Sequence, residues 1–168
     1  ISSYNATIQP SKWDVKFDNI SAITATGTAN GTAPTGAGTN TLSGFTASLM
    51  TPGDSVSFTV DMVNAGTYDA KITGVTLPTI GTLVSAANGD DQKQTDIENI
   101  SPYISVSFTY DGGTAVAEND LLNKATGTTP SRKVKMTVSL AANVPADKFP
   151  TAAITVPITA TTVTFGQV

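Results

Sequence analysis

The 168-residue chain contains neither cysteine nor histidine. Without thiols there is no disulfide framework and no thiolate metal site, so the fold must hold by packing and strand pairing alone. Without imidazole there is no Ser-His-Asp triad, no Cys-His pair, no zinc site of the usual kind and no side-chain base poised at neutral pH. Most hydrolase chemistry is thereby excluded, and the chain is expected not to be an enzyme. Charge is sparse too: 13 % of residues are ionisable, against roughly 25 % in an ordinary soluble domain. The nine Lys and Arg are scattered, with only Arg132 and Lys133 adjoining, and the net charge is −4. Nucleic acid and anionic membrane are therefore not expected partners. No apolar run approaches the roughly 18 to 20 residues that span a bilayer, and no basic start followed by an apolar stretch reads as a signal peptide. The chain begins as a processed, secreted one is expected to begin.

Hydroxyls take the place of charge. Ser and Thr supply 43 of 168 residues, and β-branched Thr suits a pleated, half-wet surface. Helical periodicity is almost missing, whereas period-two alternation recurs. Tyr4, Ala6 and Ile8 alternate before Pro10, and Trp13, Val15 and Phe17 alternate after it in the other phase. A proline has no N–H to give a ladder, which separates the leading segment 1–11 from a body at 12–168, with Trp13 expected in the core. Strands are expected over Ile20–Ala29, Leu42–Leu49, Ser55–Asn64, Asp69–Leu77, Ile104–Tyr110, Lys133–Leu140 and Ile154–Phe165. Ser55–Asn64 is the clearest, with Val56, Phe58, Val60 and Met62 on one face.

The punctuation is equally readable. Thr51-Pro52-Gly53-Asp54 should turn, because Pro presets φ and Gly tolerates positive φ. Asn64-Ala65-Gly66-Thr67 reads as a tight turn, and Gly74 as a strand irregularity. Asn30–Asn40 and Asn88–Asn99 read as surface loops, Ala115–Lys124 as the one short helix, and Pro157 as a mark of an edge or bulge. The fold class expected is all-β: a jelly-roll-type antiparallel β-sandwich with at most one short helix. No short repeat points to a solenoid or propeller.

The acidic stretch with Asp90, Asp91, Asp96 and Glu98 offers hard oxygen ligands of the kind calcium takes, without the ordered spacing of an EF-hand loop, so a solvated loop is the plainer expectation. Asn5, Asn19, Asn30 and Asn99 each open an Asn-x-Ser/Thr sequon, which permits glycosylation. A glycan on Asn5 would obstruct burial of the leading segment.

The stretches KWDVKFDNI, LMTPGDSVSFTVDMVNAGTYDAKI and ITVPITATTVTFGQV, in that order along the chain, resemble the TasA/camelysin family of secreted matrix proteins, with relatives among archaeal bundling pili and cannulae. The resemblance implies a jelly roll that builds fibres by donor-strand complementation, the N-terminal strand of one subunit completing a sheet of its neighbour. Carried onto this sequence, Ile1, Tyr4, Ala6 and Ile8 would be the donor side chains, and the partners would be copies of the same chain in a head-to-tail homopolymer at the cell surface or outside it. No cofactor is implied, although calcium in cannula relatives gives the acidic stretch interest. No small-molecule substrate is expected. The alternative readings are a carbohydrate-binding or a virion-type β-sandwich module, the first disfavoured by an aromatic content of only 7 %.

Overall fold

The structure, a computed structural model, describes residues 5–6, 14–78, 91–111, 113–124, 132–150 and 160–168, the side chains of Asp91 and Lys93 excepted. Eleven strands are described: β1 (Val15–Asp18), β2 (Thr24–Ala25), β3 (Asn30–Thr32), β4 (Thr41–Leu42), β5 (Thr46–Ser48), β6 (Ser55–Asn64), β7 (Ala70–Thr76), β8 (Ile104–Tyr110), β9 (Leu121–Leu122), β10 (Arg132–Leu140) and β11 (Thr161–Gln167). One α-helix, α1 (Asp91–Ile100), precedes β8. All pairings are antiparallel.

The first sheet has the order β1-β6-β10-β8, with β2 beside β1 on the same edge of β6, and the second has the order β4-β11-β7-β9. From β6 to β11, successive strands alternate between the two sheets. The chain is thus an antiparallel β-sandwich of jelly-roll type, as its alternating pattern implies.

Alternation explains the long strands. Val56, Phe58, Val60 and Met62 of β6, Val134, Met136 and Val138 of β10, and Phe108 and Tyr110 of β8 turn inward and are buried. They meet Ala70, Ile72, Leu42, Leu122 and Val163 in one core cluster, where Phe45 and Phe58 pack edge to face with centroids 4.8 Å apart. Each large side chain removed from water contributes about 1.5–3 kcal/mol. The opposite face of the first sheet carries the hydroxyls. Register places Ser55, Ser139 and Ser105 in one row, Ser57, Thr137 and Ser107 in the next, and Thr59, Lys135 and Thr109 in a third.

Several local expectations are corrected. Ile20–Ala29 is not one continuous strand: only Thr24–Ala25 joins the ladder, although Ser21 N–H donates to Thr59 O and Thr26 N–H to Ser55 O, so the segment still follows the edge of β6. Asn30–Asn40 is not a free loop, because β3 pairs with β5 and Thr35 bridges Ser43. Gly31 makes that hairpin possible, since a Cβ there would collide with the Thr46 carbonyl oxygen. Leu42–Leu49 divides into β4 and β5 at Gly44, whose φ is +79°. The turn at Asn64–Thr67, closed by the Gly66 N–H on Asn64 Oδ1, carries the chain from one sheet to the other, since β6 and β7 lie in different sheets. The strand irregularity is where expected: Thr164 pairs with Gly74 while Phe165 pairs with Ile72, leaving Thr73 bulged.

The helix stands where a loop was expected, and the expected helix is absent. In α1 the polar sequence Asp91–Ile100 buries Ile97 and Ile100, spaced to share one helical face. In Ala115–Lys124, Val116 N–H donates to Phe108 O and residues 121–122 pair with β7, so tertiary pairing overrides local helix preference. Ile154–Phe165 is described from Ala160 onward, with β11 beginning at Thr161 and running on to Gln167, and Pro157 lies outside the described residues.

Candidate functional site

The interval between the sheets opens at one side into a cleft of about 440 Å³, where Val15 and Lys16 of β1 face Thr164 and Phe165 of β11 and the segment with Thr39 and Asn40 bridges them. Backbone direction makes this side distinctive. Phe17 donates to Thr39 O and accepts from Gly38 N, which fixes the bridge to β1. Val163 donates to Asn40 O, and Asn40 Nδ2 donates to Val163 O. By the two-residue period of a strand, the backbone polar groups of Val15, Phe165 and Gln167 point to the same open side. Among the described residues, no strand pairs with β11 there beyond Val163. Half-buried Val15 and Phe165 pack against the core from this margin and are the large apolar side chains in a lining otherwise made of Asp14, Lys16, Gly38, Thr39, Asn40 and Thr164, beside ladder positions that no described residue pairs.

Of the expected donor side chains, Ile1, Tyr4 and Ile8 lie outside the described residues, as does Trp13; Asn5 and Ala6 are exposed and belong to no strand. Of the acidic stretch, Asp90 and the side chain of Asp91 lie outside them. Asp96 is buried and accepts a hydrogen bond from Gln92 Nε2 at 2.9 Å, while Glu98 is exposed. Two residues apart on a helix is about 200° of rotation, so α1 turns these carboxylates away from one another. Among the described residues, no three acidic side chains gather as metal ligands do.

The sequon asparagines are separated as well. Asn30 Oδ1 accepts from the Gly31 N–H, Asn99 is half-buried on the last turn of α1, and Asn19 adopts φ +52° and donates through Nδ2 to Asp61 Oδ2 at 3.0 Å.

Three buried polar groups organise the molecule; the sequence marks Asn64 and Asp54 only as turn residues and does not single out Asp61. Asn64, fully buried at the end of β6, donates through Nδ2 to Tyr68 O (2.8 Å) and Leu122 O (3.2 Å) and accepts at Oδ1 from the N–H groups of Asp14 (3.2 Å) and Gly66 (3.0 Å). It ties the start of β1, the sheet crossing and β9 together. Asp54 closes the Pro-Gly turn by accepting from the N–H groups of Thr28, Met50 and Thr51 and from the Thr28 hydroxyl. Burial raises its pKa, but these four donors together outweigh that and hold the carboxyl below its usual value. Asp61, only 3 % exposed, lies between Asn19 and Lys133. Asp54 and Asn64 flank the β6 alternation and Asp61 lies within it between Val60 and Met62, and none of these placements reveals burial. On the far side, Tyr110 is pushed above its ordinary pKa by burial and by its 2.6 Å hydrogen bond to Asp120, against the opposing Arg132 guanidinium stacked over its ring.

No protein-family model, curated protein or solved structure matches the chain. Among the described residues, no helix is long and apolar enough to cross a membrane.

Proposed function

We propose that this chain is the structural subunit of an extracellular filament, pilus-like or of matrix type, assembled by insertion of the N-terminal segment of one copy into its neighbour. The observation that carries the reading is the cleft between β1 and β11, where ladder positions that no described residue pairs stand beside half-buried Val15 and Phe165 in a lining that is otherwise mostly polar. A strand laid there would satisfy backbone groups of an open edge while its alternate side chains entered the interval between the sheets. The sequence resemblance supplies the occupant: Ile1, Tyr4, Ala6 and Ile8 alternate ahead of Pro10. Head-to-tail donation is heterologous and need not close into a ring, so an open polymer follows. The reading involves no catalytic step and requires no cofactor. Surface or extracellular location goes with the same reading.

Three large apolar side chains would contribute roughly 5 to 8 kcal/mol gross on burial, before the ordering cost of the tail. Contacts between bodies must therefore add to the donor strand. The hydroxyl rows of the first sheet contain no aromatic side chain, which leaves little on which a sugar ring could stack. Electron microscopy of the purified chain, with and without residues 1–9, tests the reading: filaments are expected only from the longer form.

A further inference from the structure

A lysine, a carboxylate and an asparagine from three separate segments meet at one end of the first sheet. Asp61 of β6 is the Cα partner of Lys133 of β10 on one side and of Asp18 of β1 on the other. Asn19 follows Asp18 directly, and its left-handed backbone, which asparagine tolerates better than most residues, accompanies a side chain that reaches Asp61 Oδ2 at 3.0 Å. Lys133 Nζ lies 3.0 Å from Asp61 Oδ1, with half of the lysine side chain exposed and Asp61 almost wholly enclosed. That approach is off the hydrogen-bonding direction, so this buried oxygen is paired by charge and accepts no hydrogen bond. A single carboxylate therefore holds an amine on one oxygen and a carboxamide on the other.

We propose that Lys133 and Asn19 form an intramolecular isopeptide bond, with Asp61 as the proton-transferring group. The Asp61 carboxylate takes a proton from the Lys133 ammonium, and the freed amine attacks Cγ of Asn19. The new bond is Nζ–Cγ and the bond that breaks is Cγ–Nδ2. Asp61 returns its proton to the departing nitrogen, and the second proton displaced from the lysine leaves with it, so ammonium is released and Asp61 ends as a carboxylate. Charge and atoms balance with no oxidant, activating group or second substrate. Two reactants held on one carboxylate meet as a unimolecular pair, which lowers the entropic barrier that an amine and an amide meet in free solution. Shielding of Asp61 from water strengthens its hold on both partners. Exposure of Lys133 and Asn19 leaves an exit for ammonia.

The bond would join the end of β1 to β10 across β6, closing a covalent loop over most of the first sheet. It stands apart from the filament reading, since it is read on the isolated chain. Intact-mass spectrometry of the purified, folded protein is expected to show a deficit of one ammonia relative to the sequence. Proteolysis is expected to release a branched peptide joining the Asn19 segment to the Lys133 segment. Lys133→Arg keeps the charge beside Asp61 but offers no amine, and its mass should match its sequence. This separates the bond from a succinimide at Asn30-Gly31, which also loses ammonia but would persist in Lys133→Arg. A wild-type mass equal to that of the sequence, a loss of water in place of ammonia, or a deficit that survives in Lys133→Arg overturns the assignment. The branched peptide from the wild-type chain decides the matter even where the variant folds poorly.

Discussion

Asn64 shows how a single buried amide can hold two sheets in register. Leucine at this position would fill similar space but leave the Asp14 and Gly66 N–H groups and the Tyr68 and Leu122 carbonyls short of a partner. Each unsatisfied buried group costs about 1–3 kcal/mol, part of which relaxation and water recover. Asn64→Leu is therefore expected to lower stability by roughly 3 kcal/mol, measured as a drop in the urea midpoint at unchanged slope; a midpoint equal to wild type would show that these bonds do not matter. Asp54 gives a pH signature. Its folded-state pKa lies below the ordinary value of 3.8, so its contribution is complete above that value and drains away as pH falls through the lowered pKa. The stability gap between wild type and Asp54→Asn should accordingly be constant at neutral pH and shrink in acid, as read from denaturation at a series of pH values. A gap that widens in acid would contradict the hydrogen-bonding account.

At the scale of elements, the legible parts were those in which one face is apolar and the other hydroxylated. Ser55–Asn64 and Ile104–Tyr110 stand in the structure at their expected limits, and Lys133–Leu140 extends by one residue to Arg132. The turn at Pro52-Gly53 and the bulge at Gly74 were legible because backbone chemistry is local. What could not be read is what depends on distant partners. The register of β3 against β5 rests on Gly31 meeting Thr46, and Ala115–Lys124 is drawn out of helical form by β8, β7 and the contacts of Asp120. The helix α1 was hidden because only Ile97 and Ile100 mark its buried face amid polar residues. The cleft was equally illegible, since it is made by β1 and β11 from opposite ends of the chain. Central β6 depends on Phe58, which packs edge to face on Phe45. Phe58→Ala should cost about 3–5 kcal/mol, checked by thermal or chemical denaturation, and Gly31→Ala should specifically loosen amide protection in β3 and β5 while sparing β10.

For the whole molecule, the account holds that a folded subunit is completed by another copy. If the leading segment is buried in a neighbour, Ile8→Asp places an unpaired charge in an apolar site and should abolish assembly while leaving the fold of the body intact; filaments of normal length from Ile8→Asp would remove that side chain from the interface. Chelation of calcium is expected to leave filaments standing, because Asp96 and Glu98 turn apart on α1. The most direct measurement is electron microscopy of the purified chain at rising concentration beside the same chain lacking residues 1–9. The account predicts long filaments from the first and soluble single subunits from the second. Filaments of equal length from both, or none from the intact chain at any concentration, would contradict it.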